Sequence, residues 1–347
     1  MRILVTGDYN PDYNRTRILL KGLKEDSRVK LTEYPIESFR HFDKQAFRDL
    51  ARDADFLYLP PFTHNSVSKL SRLTDKPIVF DPLISKYLTK VFDYQEVHKY
   101  SLRALKNYLK DRVPLRKSDL ILADTEAHKT YFNQTFKVSL DKIKVLQIGA
   151  DVTQFMPVDR PDNSNFTVGF YGGFIPLQGT QHIIKAAEIL QTESEIQFQL
   201  IGTGFEWERM KQMAAKLNLG NVNFQGWVAY EELSERINGF DICLGIFGDT
   251  PKADLVIPNK VYHYAALKKC TITKATPAIK ELFTDDKNIV LTTNDPRAIA
   301  EQILKLKNDV NRTERIAAEA YQLITQNYNE HKIAERFIFH LEDYRHA

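Results

Sequence analysis

Residues 169–190, GFYGGFIPLQGTQHIIKAAEIL, hold the repeating unit of the fold: a short apolar strand, a Gly172-Gly173 turn, then a helix. The spacing predicts a helix starting near Gly179 or Thr180, because Ile183, Ile184, Ala187 and Leu190 recur on one side. Residues 200–210, LIGTGFEWERM, repeat the idea, with Gly202 and Gly204 ahead of another helix. Both glycine turns read as anion-facing loops. The position that would complete Gly-x-Gly-x-x-Gly holds Trp207, so a dinucleotide-binding dehydrogenase is weakly supported, and no P-loop pattern occurs.

Outward from this unit, strand candidates alternate with amphipathic stretches along the whole chain. FTVGFYGG, IQFQLIGTG, VNFQG, DICLGIF, CTIT and NIVLTT follow one another in the second half; RILVTG, DFLYLP, PIVF, DLILAD and IKVLQIG do so in the first. This is the rhythm of a parallel α/β sheet. It breaks at residues 156–165, MPVDRPDNSN, where prolines, Asp and Asn accumulate. The predicted organisation is therefore two Rossmann-like doubly wound domains, 1–157 and 166–325. A terminal helix over 326–347 is a candidate to pack back on the first domain through Ile333, Phe337, Phe339 and Leu341. Ligands of such sheets sit outside the carboxyl ends of the strands, and each half closes its first strand with glycine, Gly7 in one and Gly172-Gly173 in the other.

The chain length of 347 residues suits two cores of roughly 150 residues each. An apolar fraction of 43% with 27% charged residues is that of a globular protein and excludes disorder. No run nears the roughly 18 apolar residues of a membrane span, and MRILVTG reads as a buried strand rather than a secretion signal, so a cytoplasmic location is expected. A net charge of +3 is too small to argue for nucleic acid. Cys243 and Cys270 sit in apolar strand-like segments and read as core residues. No His/Cys/Asp/Glu cluster has metal-ligand spacing, so no metal is expected.

Residues 254–270, DLVIPNKVYHYAALKKC, place a lysine at the mouth of a helix. With Asn259 as N-cap, Lys260 falls in a first turn whose amides are free, and a helix start plus a full positive charge suits a phosphate. Cations normally avoid helix N-termini, so a lysine there hints at an anionic partner; a solvated surface lysine is the plain alternative.

In order along the second half, VGFYGGFIPLQGT, QLIGTG, VNFQGWV, YEELSERINGFDICLGIF, IPNKVYHYAA and TPAIKELF resemble the donor domain of retaining family 4 glycosyltransferases, which have the GT-B fold of two Rossmann-like domains facing across a cleft. DYNRTRILLKGL, SDLILADTEAHKTYFNQTF and IKVLQIGADVTQFMP extend the resemblance through the first half. The resemblance implies that Lys260 and the helix start at Asn259 hold the diphosphate of a nucleotide-sugar donor, a co-substrate rather than a cofactor. It also implies that Gly172 and Gly173 admit the donor and that Trp227 lies near the base.

His263 stands where many members carry a glutamate that grips the ribose, and Leu255 replaces the other glutamate of the pair. The imidazole is read either as a ribose contact or as a packed ring between Tyr262 and Tyr264. Asp249 and Asp254 are candidates for the missing sugar contact. The family's usual arginine and lysine of the first glycine loop align with Gly173 and Gln178, and Arg15 or Arg17 is a candidate to make up the charge. Asp81, in PIVFDPLIS, is either an acceptor-orienting carboxylate or an Asp-Pro turn. The implied reaction moves a sugar to a hydroxyl acceptor, a growing glycan or lipid-linked glycan, with retention; a GT-B epimerase and an inactive sugar-nucleotide-binding protein are the alternatives.

Within residues 97–119, Lys99, Arg103, Lys106 and Lys110 fall along one helical face, beside Leu102, Leu105 and Leu109 on another. A peripheral contact of 97–117 with the inner face of a membrane and a solvated helix face are both open readings.

Overall fold

The computed structural model describes residues 1–158 and 165–346, so most of the predicted break at 156–165 lies outside the described residues. The chain forms two compact units: Met1–Gly149 together with the segment from Glu330, and Ala150–Asn329.

Unit 1 holds strands β1 (Arg2–Gly7), β2 (Lys30–Pro35), β3 (Phe56–Leu59), β4 (Ile78–Phe80), β5 (Leu120–Ala123) and β6 (Ile143–Val145). All are parallel, in the order β2-β1-β3-β4-β5-β6. The connecting helices are α1 (Asn14–Glu25), α2 (Lys44–Asp53), α3 (His64–Leu70), α4 (Leu102–Lys117) and α5 (Glu126–Phe136). Strands β3, β4 and β5 are buried along their whole length, as apolar runs covered on both faces must be. Strand β2, KLTEYP, is the one the sequence reading lacks. It lies at the sheet edge with most of its side chains partly or fully exposed, so no apolar run announces it.

Unit 2 holds β7 (Phe166–Tyr171), β8 (Ile196–Ile201), β9 (Val222–Gly226), β10 (Ile242–Leu244), β11 (Cys270–Lys274) and β12 (Val290–Thr292), ordered β12-β11-β10-β7-β8-β9 and parallel throughout. Its helices are α6 (Thr180–Ile189), α7 (Trp207–Lys216), α8 (Tyr230–Asn238), α9 (Asn259–Ala266), α10 (Pro277–Lys280), α11 (Pro296–Asn308) and α12 (Val310–Asn327). Val168, Phe170, Phe198, Leu200, Ile242, Leu244, Ile183 and Ile184 fill its core, and Cys243 and Cys270 are buried free thiols.

The last helix, α13 (Glu330–His346), belongs to unit 1. It lies on α1 so closely that a Cβ at Gly22 would stand 2.2 Å from the Glu330 carbonyl oxygen. Phe337 meets the Tyr58 ring edge-on at 5.1 Å, and Arg345 lies 3.1 Å from Asp55. Phe339, expected on the buried face, is 62% exposed, because two residues along a helix from Phe337 points nearly the opposite way.

In each sheet the strand order reverses once, between β1 and β3 in unit 1 and between β7 and β10 in unit 2. Such switch points open a crevice at the carboxyl edge, because the connections leave in opposite directions. The turn after β7 and the helix after β10 therefore flank the crevice of unit 2.

Candidate functional site

Lys260 lies in the first turn of α9, at the carboxyl edge of β7 and β10, and is 3% exposed. Its Nζ donates to Gln178 Oε1 at 2.5 Å and stands 3.5 Å from the centre of the Phe170 ring. No carboxylate pairs with it among the described residues, and burial alone pushes its pKa well below the usual lysine value. A buried ammonium without a counter-charge is unfavourable by several kcal/mol, of which an amide oxygen and an aromatic face offset part. An anion brought to this point would offset the rest.

Gly172 makes the arrangement sterically possible. Its φ is +150°, and a Cβ there would come within 2.8 Å of Lys260 Nζ. Gly202 (φ +126°) passes so close beneath that a Cβ would meet the Gly172 carbonyl oxygen at 2.0 Å. The two glycine turns thus stack on each other, with Gly173 and Gly204 exposed at the rim. The α9 start differs from the sequence reading in one respect. Pro258 is the N-cap and Asn259 the first helical residue, and no side chain caps the turn. Proline in extended conformation before the helix fixes the entry of the chain, so Asn259 is drawn into the helix instead of preceding it.

The remaining candidates fall into separate places. His263 is 2% exposed and belongs to a stack of rings. Phe155 lies parallel to it at 3.8 Å, and its Nδ1 bonds the Tyr171 hydroxyl at 2.5 Å. Burial holds its pKa at about 3 against the pull of Asp151. This is the packed-ring reading of the imidazole. Asp249 accepts from His182 Nε2 at 3.1 Å and from the Asn294 amide, and Asp254 lies 3.6 Å from Lys274 Nζ. Trp227, 74% exposed, and Phe205, 67% exposed, stand on the loops after β9 and β8, which the Gly202 N–H to Gly226 carbonyl bond of 2.6 Å ties together.

Residues 180–338 match the family model described as "Glycosyl transferase-like". The fold is shared with Alr3699/HepE of Anabaena, crystallised with UDP and glucose: TM-score 0.76 at 17% identity over 99% of both chains. It is shared equally with the sucrose-phosphate synthase of Thermosynechococcus elongatus: TM-score 0.75 at 13% identity, over 100% of this chain and 98% of that one. The chain has the GT-B fold. A glycosyltransferase from Rickettsia africae also superposes, with TM-score 0.69 at 12% identity over 99% and 98% of the two chains. No curated protein matches in sequence.

In this GT-B chain, Arg15 and Asp81 belong to unit 1. They lie at the carboxyl edge beside the β1/β3 switch point and pair with each other, Nε to Oδ2 at 2.5 Å, both buried. Arg15 Nη1 also donates to the Leu146 carbonyl at 2.8 Å, and the Tyr58 hydroxyl donates to Asp81 at 3.3 Å. Burial pushes the Asp81 carboxyl up while Arg15 opposes it. Arg15 Nη2 and Asp81 Oδ1 are left without hydrogen-bond partners. Arg17 is committed to Asp12 at 2.9 Å. Gln178, aligned in sequence with the lysine of the resembling family's first glycine loop, accepts from Lys260 instead of adding a second cation, whereas Phe170, an ordinary strand phenylalanine, carries no sequence signal of its place under the ammonium.

Proposed function

We propose that the chain is a glycosyltransferase that binds a nucleoside diphosphate sugar at the β7/β10 edge of unit 2 and passes the sugar to a glycan hydroxyl with retention. The observation that carries this is the buried, carboxylate-free Lys260 beneath Gly172 at a switch point. Its nearest electrostatic complement is an anion, and a diphosphate leaving group develops negative charge in the transition state, where a preorganised cation acts most strongly.

In the proposed step the acceptor oxygen attacks the anomeric carbon from the side on which the diphosphate departs. The bond from that carbon to the phosphate oxygen breaks with its electron pair left on the phosphate, which takes the acceptor proton. Lys260 stabilises the leaving phosphate, and the uncapped α9 start adds its dipole. Trp227 and Phe205 are proposed to receive the base. The shared fold of HepE, crystallised with UDP and glucose, supports a uridine nucleotide as the first to try.

Titration calorimetry with UDP, GDP and ADP tests the reading. Lys260→Ala should weaken the preferred diphosphate by about 1.5–3 kcal/mol, the worth of a charge-assisted hydrogen bond. Because the free lysine has a depressed pKa, binding to the parent protein should take up a proton at alkaline pH, seen as a buffer-dependent enthalpy that the variant lacks. Unchanged affinity in folded Lys260→Ala would remove the lysine from the site.

A further inference from the structure

Helix α4 has two apolar faces, and the core uses only one. Ala104, Asn107, Asp111, Pro114 and Leu115 are buried inward, with Asp111 accepting from Ser85 Oγ at 2.7 Å and from the Tyr87 amide at 2.8 Å. Sequence periodicity alone leaves open whether Leu102, Leu105 and Leu109 pack. They are 85%, 52% and 43% exposed, and Val113 continues the line at 39%. At spacings of three and four residues these four make one straight stripe, about 16 Å long at 1.5 Å per residue. Tyr100, 81% exposed, precedes it.

Cations border the stripe. Arg103, Lys106 and Lys110 follow one flank and exposed Arg116, seven residues after Leu109, continues the line of the stripe, and none of the four pairs with an acid among the described residues. The only acid of the helix, Asp111, is turned inward, so its six basic residues give this one element more positive charge than the +3 of the entire chain. Between α3 and α4 runs a groove of about 540 Å³, lined by Ser68, Lys69, Leu105, Lys106, Leu109 and Val113.

We propose that this face of unit 1 docks on an anionic lipid bilayer, with the leucine stripe at the boundary of headgroups and acyl chains and the lysines on lipid phosphates. Charge complementarity selects this occupant: exposed apolar residues bordered by unpaired cations match an apolar layer beneath a negative surface. An acidic protein would match the cations but not a solvent-facing leucine row of this length. The contact is peripheral, since among the described residues no helix is long and apolar enough to cross a membrane.

Co-sedimentation of the full chain with vesicles of phosphatidylcholine, alone or mixed with phosphatidylglycerol, tests the proposal. Binding is expected only to the mixed vesicles and should fall with salt. The double variants Leu105→Ser/Leu109→Ser and Lys106→Glu/Lys110→Glu should each lose at least about tenfold in binding, with thermal unfolding unchanged because all four side chains are exposed. The proposal is overturned if the parent chain ignores anionic vesicles, if the serine variant binds as well as the parent, or if polyglutamate retains the protein while vesicles do not. Vesicle binding is read without donor or acceptor, so its failure would leave the proposed sugar transfer standing.

Discussion

At Lys260 and His263, three residues apart on one helix, burial acts on two basic groups with different consequences. Lys260 has an amide oxygen and a ring face but no carboxylate, so its charged form awaits a ligand. His263 has a ring stack and a hydroxyl, so its neutral form is the one the fold wants. Its folded pKa of about 3 lies below the ordinary 6.5, so its contribution is fully present above pH 6.5 and is lost as pH falls toward 3. At about 1.4 kcal/mol per pKa unit, lowering the pH from 6.5 to 5 should cost the parent protein about 2 kcal/mol that His263→Gln, which keeps an acceptor for Tyr171, does not lose. Urea unfolding followed by tryptophan fluorescence reads this in unit 2, where both tryptophans, Trp207 and Trp227, reside. Equal acid losses in the two proteins would show that the imidazole is not buried neutral. From sequence, the lysine was legible because a cation at a helix start is unusual. The fate of the imidazole was not, since Phe155 and Tyr171 are distant in the chain.

Among the elements, the strands of both sheets were legible wherever both of their faces are covered, because such strands must be apolar runs. Strand β2 escaped because KLTEYP carries no apolar run, whereas the α4 helix was legible but the fate of its leucines was not, because periodicity finds an apolar face without saying whether anything lies against it. The contact of α1 with α13 is of the same kind: it needs Gly22, which in sequence is only a glycine inside a helix. Gly22→Val should push α13 off α1 and destabilise unit 1 by about 1–3 kcal/mol, the usual range for overpacking. Urea unfolding monitored by circular dichroism measures it, and an unaltered midpoint would mean that the two helices yield without strain.

Across the whole molecule, the chain leaves unit 1 at Gly149, completes unit 2, and returns at Glu330. Both passages are tied on the unit 2 side, where the Ala150 amide bonds the Tyr328 carbonyl at 2.9 Å and Ala150 bridges Asn329. A chain ending at Asn329 should keep unit 2's tryptophan emission and nucleotide affinity, while unit 1, stripped of Ile333, Phe337 and Leu341, becomes sensitive to limited proteolysis. Protease resistance of residues 1–149 in that truncation would show that α13 is dispensable to unit 1. The same placement sets an order for biosynthesis. On the ribosome, the nascent first unit emerges without its covering helix and waits for the whole of residues 150–329 to be translated, roughly 10–40 s at ordinary elongation rates. During that interval the bare side of α1 is what a chaperone would find.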